Sequence, residues 1–282
     1  MPHLSRLALA AAVGWLYADI GVGLVVQWAT NPDASYGVIL AAVAGLLIWR
    51  RRKSLRAAHA SAASTVAGLL LVLTALALFL VGHLAADMFT TRVSGVLLFL
   101  GLIWFGNGTH AARASLAPAS FLLLAIPLPE LLVTTLTGGL QSVAAGTAEG
   151  MLTTVGIPVY RDGNVLELPT VTLQVVEACS GLRSVVSLVS VGLLLSWASG
   201  GTPPRRLGLV VLAVPIAVAV NSLRLAVIGA AAEHWGDAAL RDPWHSLMGW
   251  ATFGLSLVVL VGVQRLLSPA AQVQPMSEVV RA

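Results

Sequence analysis

Eight apolar runs, separated by short polar or charged stretches, dominate the chain, near residues 7–28, 36–49, 62–82, 93–110, 114–129, 182–199, 207–231 and 246–265. Spanning bilayer hydrocarbon takes about 20 helical residues, and shorter runs are completed by flanking side chains that snorkel. Each run therefore predicts a transmembrane helix. The second is the shortest and relies on Trp49 and Arg50 as anchors. The first is long enough to span and lacks a clear cleavage site, so it predicts a retained helix rather than a signal peptide.

One long interval, residues 130–177, breaks the series. Residues 131–154 mix Thr, Gln141, Glu149 and several glycines with apolar positions, a pattern that suits a helix lying in the interface. From residue 156 the pattern changes to short β-prone runs around Asp162-Gly163, with a further run at residues 171–176. This predicts a small extracytoplasmic β element leading straight to residue 179.

Composition agrees with the pattern. The chain is 57% hydrophobic and 10% charged, against about 25% charged in soluble domains, so the fold class is an all-α polytopic membrane protein. Five of the 16 basic residues crowd into residues 50–56. Cytoplasmic loops collect Lys and Arg, so that cluster, Arg113, Arg205, Arg206 and Arg265 are expected on the cytoplasmic side, with both termini. The interval 130–177 must then leave and return on the outer face. The basic residues form no groove-sized patch, which excludes nucleic acid as a partner. A single cysteine excludes an internal disulfide, and neither His-x-x-x-His nor Glu-x-x-His occurs, so neither metal nor cofactor is expected.

Within this topology three side chains stand out at the outer boundary. Cys179, in Glu177-Ala178-Cys179-Ser180-Gly181-Leu182-Arg183, sits where the polar interval turns into an apolar run. A thiol at a helix start with cations in reach is drawn toward thiolate, whereas one in an apolar helix interior stays inert. Arg183 is four residues on, so it shares a helical face with Cys179, and Glu177 is placed to orient a base or the arginine. Arg224 lies within an apolar run; an arginine there costs about 2.5 to 3.5 kcal/mol on insertion scales and marks a functional site by default. It is about 27 Å along the helix from Arg206 at ~1.5 Å per residue, near the outer boundary. Asn221, one turn earlier, is placed to hold the guanidinium or a substrate amide. His245 follows Asp242-Pro243-Trp244 at the outer start of the last run and offers an imidazole for proton transfer. His234, beside Trp235, is its rival, and spacing does not separate them. Thiol, guanidinium and imidazole together suit nucleophilic attack on a peptide bond. The competing reading is a non-catalytic membrane protein, a surface-polysaccharide assembly factor or small-solute carrier, in which Arg224 binds an anion and Cys179 only packs.

These ordered motifs, residues 177–183, then Asn221-Ser222-Leu223-Arg224, then His245, resemble the exosortase/archaeosortase family of polytopic cysteine transpeptidases. The approach segment at residues 156–169 and Ala125-Ile126-Pro127-Leu128-Pro129 look like the family's too. The resemblance implies that Cys179, Arg224 and His245 are the catalytic residues. It implies as substrates secreted proteins with a C-terminal sorting signal: a short motif, often Pro-Glu-Pro-like, then a transmembrane helix and a basic cluster. It further implies transfer to a membrane lipid or surface acceptor, with the active site outside the inner membrane. The expected organisation is N-terminal transmembrane helices over residues 1–113, a catalytic core over 114–267, and a disordered cytoplasmic tail over 268–282.

Overall fold

The computed structural model describes residues 2–31, 33–56, 61–174, 182–198, 202–241 and 243–267, with backbone alone for residues 2–7, 10, 54, 56, 237 and 245. The expected tail at 268–282 lies outside the described residues. Two compact units divide the chain, Met1–Pro129 and Glu130–Ala282.

The first unit is helical: α1 (Pro2–Thr30), α2 (Tyr36–Arg56), α3 (Ala62–Leu84) and α4 (Met88–Leu124). Ser61 and Asp87 cap α3 and α4 by accepting from backbone N–H groups of the first turn, which satisfies donors with no partner inside the helix. Helix α4 does not run straight. Gly108 has φ 82° and ψ 178°, a conformation essentially restricted to glycine, and the chain doubles back there. Val96, Ala119 and Ile126 share one buried cluster, although a straight helix would put Val96 and Ala119 about 34 Å apart. The neighbours agree: Arg92 bonds Gln27 while Ala125 O accepts from Trp28, so both ends of α4 meet the same turn of α1. Asn107, beside the reversal, donates to Leu55 O at the far end of α2. The two runs read from sequence at 93–110 and 114–129 are thus the arms of one hairpin.

Among the described residues, five helices are long and apolar enough to cross a membrane: α1, α3, α4, α7 and α8. The expected count of about eight is not confirmed by this measure. Helix α2 ends in four consecutive cations at residues 50–53, α6 has only 17 residues, and α4 is one continuous assignment holding two arms. Gly108→Ala is expected to cost about 1 to 3 kcal/mol, read as a lower melting temperature in detergent. Gly106→Ala is the control, since its added methyl meets nothing within 4 Å.

The second unit runs α5 (Glu130–Thr154), β1 (Tyr160–Asp162), β2 (Val165–Glu167), β3 (Thr172–Gln174), α6 (Leu182–Ala198), α7 (Pro203–Trp235), a 3-10 turn at Gly236–Leu240, and α8 (Trp244–Leu267). The strands form an antiparallel meander, with Tyr160 opposite Glu167 and Leu166 opposite Leu173. The β1–β2 turn is Gly163-Asn164, and Gly163 has φ 60°, as a tight hairpin turn demands. The β element expected from Asp162-Gly163 is therefore present.

Its inner face buries Leu166 and Leu173 with Ala144, Ala145, Ala148 and Leu152 of α5 and Leu225, Ala226 and Ala232 of α7. Small residues on both helices admit the leucines: a methyl on Gly229 would lie 3.1 Å from Leu152 Cδ1 and 3.2 Å from Leu173 Cδ1. Polar ties surround this packing. Arg161 Nε donates to Glu149 Oε2 at 2.7 Å, Asn164 Nδ2 to Gln141 Oε1 at 3.3 Å, and Thr170 Oγ1 to Glu233 Oε2 at 2.7 Å. An exposed ion pair contributes about 0 to 1 kcal/mol, against about 1.5 to 3 for each buried leucine. The leucines hold the sheet, and the polar ties set where it sits.

Candidate functional site

The site lies where α6, α7 and α8 come together. Helices α6 and α7 form an antiparallel pair whose core holds Leu188, Leu209, Ala213 and Ala217, with Leu260 of α8. Gly192 sets their register, since a methyl there would lie 3.5 Å from both Ala213 Cβ and Leu209 O. Ten residues back along α6 is Leu182, its first residue, and the same rise along α7 reaches residues 219–223. The chain therefore enters α6 at the level of Asn221, one turn from Arg224.

Helix α8 approaches α7 at a matching register. A methyl on Gly249 would sit 3.7 Å from Arg224 Nη2 and 3.9 Å from Arg224 Cζ, so the guanidinium lies against a bare patch of α8 backbone. Eleven residues further along α8, Leu260 packs in the cluster of Ala213, which is eleven residues back from Arg224. The two helices stay antiparallel and in step over that length.

Arg224 is half-buried with its Nε enclosed, and Asn221, four-fifths of a turn away, is 6% exposed. Both engage other groups of the protein. Arg183 stands exposed in the first turn of α6. His245 occupies the first turn of α8, four residues before Gly249, and so shares its face about 6 Å along the axis. His234 differs. It is exposed near the end of α7, ten residues from Arg224, and its Nδ1–H donates to Ala230 O at 2.9 Å. Cys179 and Glu177 lie outside the described residues. Among the described residues no three His, Cys, Asp or Glu side chains converge as metal ligands.

A model of the family described as transmembrane exosortase matches residues 28–262 of the 282. The chain belongs to the transmembrane exosortase family. No curated protein and no solved structure matches it. As an exosortase with several membrane-length apolar helices, it is a multi-pass membrane protein. The matched stretch of this exosortase takes in Arg183, Asn221, Arg224 and His245, and also the segment that holds Glu177 and Cys179.

Two features of the second unit were not read from the sequence. Gly249 has no side chain to draw notice, and its one signal is its place a turn after His245. The Thr170–Glu233 bond joins residues 63 positions apart that no local pattern connects.

Proposed function

We propose that this exosortase is a membrane cysteine peptidase and transpeptidase with Cys179 as nucleophile, His245 as proton carrier and Arg224 as the electrostatic partner of the thiolate or the oxyanion. One observation carries the reading: the Arg224 guanidinium lies against Gly249 on the face of α8 that also bears His245, while α6 begins at the level of Asn221. Cys179 precedes Leu182 by three residues, so chain reach alone keeps their Cα atoms within about 11 Å. This register also favours His245 over His234, whose position on α7 is about 15 Å along the axis from Arg224.

In the proposed reaction Cys179 Sγ adds to the carbonyl carbon of the scissile peptide, and Arg224 stabilises the resulting oxyanion. Collapse breaks the C–N bond. His245 delivers the thiol's proton to the departing amine, leaving a thioester on Cys179. An amine or hydroxyl of the acceptor, or water, then attacks the thioester, gives up a proton and frees the thiolate. Arg183, Asn221 and Glu177 support this set by holding charge and a substrate amide.

The substrates are secreted proteins bearing a C-terminal sorting signal, a Pro-Glu-Pro-like motif followed by an apolar helix and a basic cluster. The acceptor is a membrane lipid or surface group, and the chemistry occurs on the outer side of the inner membrane. The single cysteine allows a direct test. A membrane-impermeant maleimide added to spheroplasts is expected to label the protein and to stop processing of a tagged, C-terminally anchored substrate. Labelling only in inverted vesicles would overturn the sidedness, and a labelled protein that still processes substrate would overturn the chemistry.

A further inference from the structure

Among the described residues, Arg92, Arg206 and Arg224 each carry a buried Nε. Arg224 belongs to the site above. Arg206 lies over the Trp197 ring, with Cζ 4.9 Å from the centroid, a favourable place for a cation. Arg92 has neither role. In the first unit, one turn into α4, it is half-buried. Its Nη1 donates to Gln27 Oε1 of α1 at 2.6 Å, and no described carboxylate lies within ion-pair distance.

The surrounding polar groups are committed to one another. Asp87, five residues earlier, caps α4 by accepting from Phe89 N and Thr90 N. Thr91 Oγ1 donates to Asp87 O, and Tyr17 pairs with Ser94 at 2.8 Å. Among the described residues this half-buried guanidinium has a neutral amide as its partner and no counter-charge. Removing a charge from water without a counter-charge is costly, so the arrangement favours an anion supplied from outside the chain.

Position indicates which anion. Helical side chains lean toward the helix N-terminus, so Arg92 reaches toward the Met88 end of α4, where an apolar helix meets the headgroups. Gln27 fixes Nη1 and the protein encloses Nε, which leaves Nη2 accessible for a charge-assisted bond. Simple snorkelling needs no orienting partner from another helix. We propose that Arg92, held by Gln27, is a seat for the phosphate of a membrane lipid. This site does not depend on the catalytic reading.

The test uses the full chain, delipidated in detergent and examined by native mass spectrometry with added phosphatidylglycerol, diacylglycerol or inorganic phosphate. Wild type is expected to retain one saturable phosphatidylglycerol adduct and to show little uptake of diacylglycerol. Arg92→Gln should bind phosphatidylglycerol about tenfold more weakly, Gln27→Leu should fall between, and Arg92→Lys should keep most binding. Equal uptake by wild type and Arg92→Gln would overturn the proposal, as would equal uptake of the two lipids by wild type. Binding of inorganic phosphate without a lipid adduct would overturn the lipid assignment. If Arg92→Gln fails to fold, the wild-type comparison decides alone.

Discussion

Cys179→Ala is expected to abolish processing of a C-terminally anchored substrate, by more than ~10³-fold, while the protein accumulates in the membrane at the wild-type level. Removing a nucleophile takes away the whole covalent route, and the binding and electrostatic groups that remain give only a residual rate. A blot of substrate size, paired with a blot of the enzyme in the membrane fraction, measures both quantities. Cys179→Ser is a sharper variant. It preserves shape and hydrogen bonding but replaces a thiol that can ionise with a hydroxyl that stays protonated. It should be nearly as inactive as the alanine variant. Normal processing by both variants, with damage from Arg224→Ala alone, would favour the anion-carrier reading instead.

Arg224→Ala is expected to lower processing by about 10² to 10³-fold, the usual cost of losing one preorganised donor to a developing oxyanion. The fold should survive, because an arginine in a transmembrane helix costs about 2.5 to 3.5 kcal/mol to insert and the variant no longer carries that cost. Arg224→Lys keeps the charge and loses the planar fork, so it should recover part of the rate. The contact with Gly249 adds a variant that leaves the arginine in place. A methyl there makes ordinary contact with Arg224 at 3.7 Å, so Gly249→Ala should be nearly silent. Gly249→Leu fills the seat and should cost activity without changing the charge. Processing rates of these four variants, normalised to membrane-inserted protein, separate charge from placement. A fully active Arg224→Ala would remove the arginine from the mechanism.

What the sequence made legible follows from the range of each signal. Residues 162–163 announced a hairpin because turn chemistry is local, and the apolar runs announced helices because 20 residues of hydrocarbon-compatible side chains have few other uses. The joining of two of these runs into one hairpin was not legible, for a related reason. Hydropathy at residues 93–129 records two apolar arms, while the reversal itself depends on the backbone of Gly108 and on contacts with α1 and α2. Arg224 was visible as a charge in an apolar run. Its seat was not, because a glycine one turn beyond His245 is significant only once α7 and α8 are in register. The dependence of α5 on its small face, Ala144, Ala145 and Ala148 against Leu225 and Ala226, was equally hidden. Alanines at such spacing look alike whether they face lipid or another helix.

The fold-back in α4 also decides where the first unit ends. The two arms run in opposite directions, so residue 125 comes back beside the end of α1, close to where the helix began. A change that straightened the backbone at Gly108 would carry residue 125 away from Trp28 and would leave the apolar faces of both arms without each other.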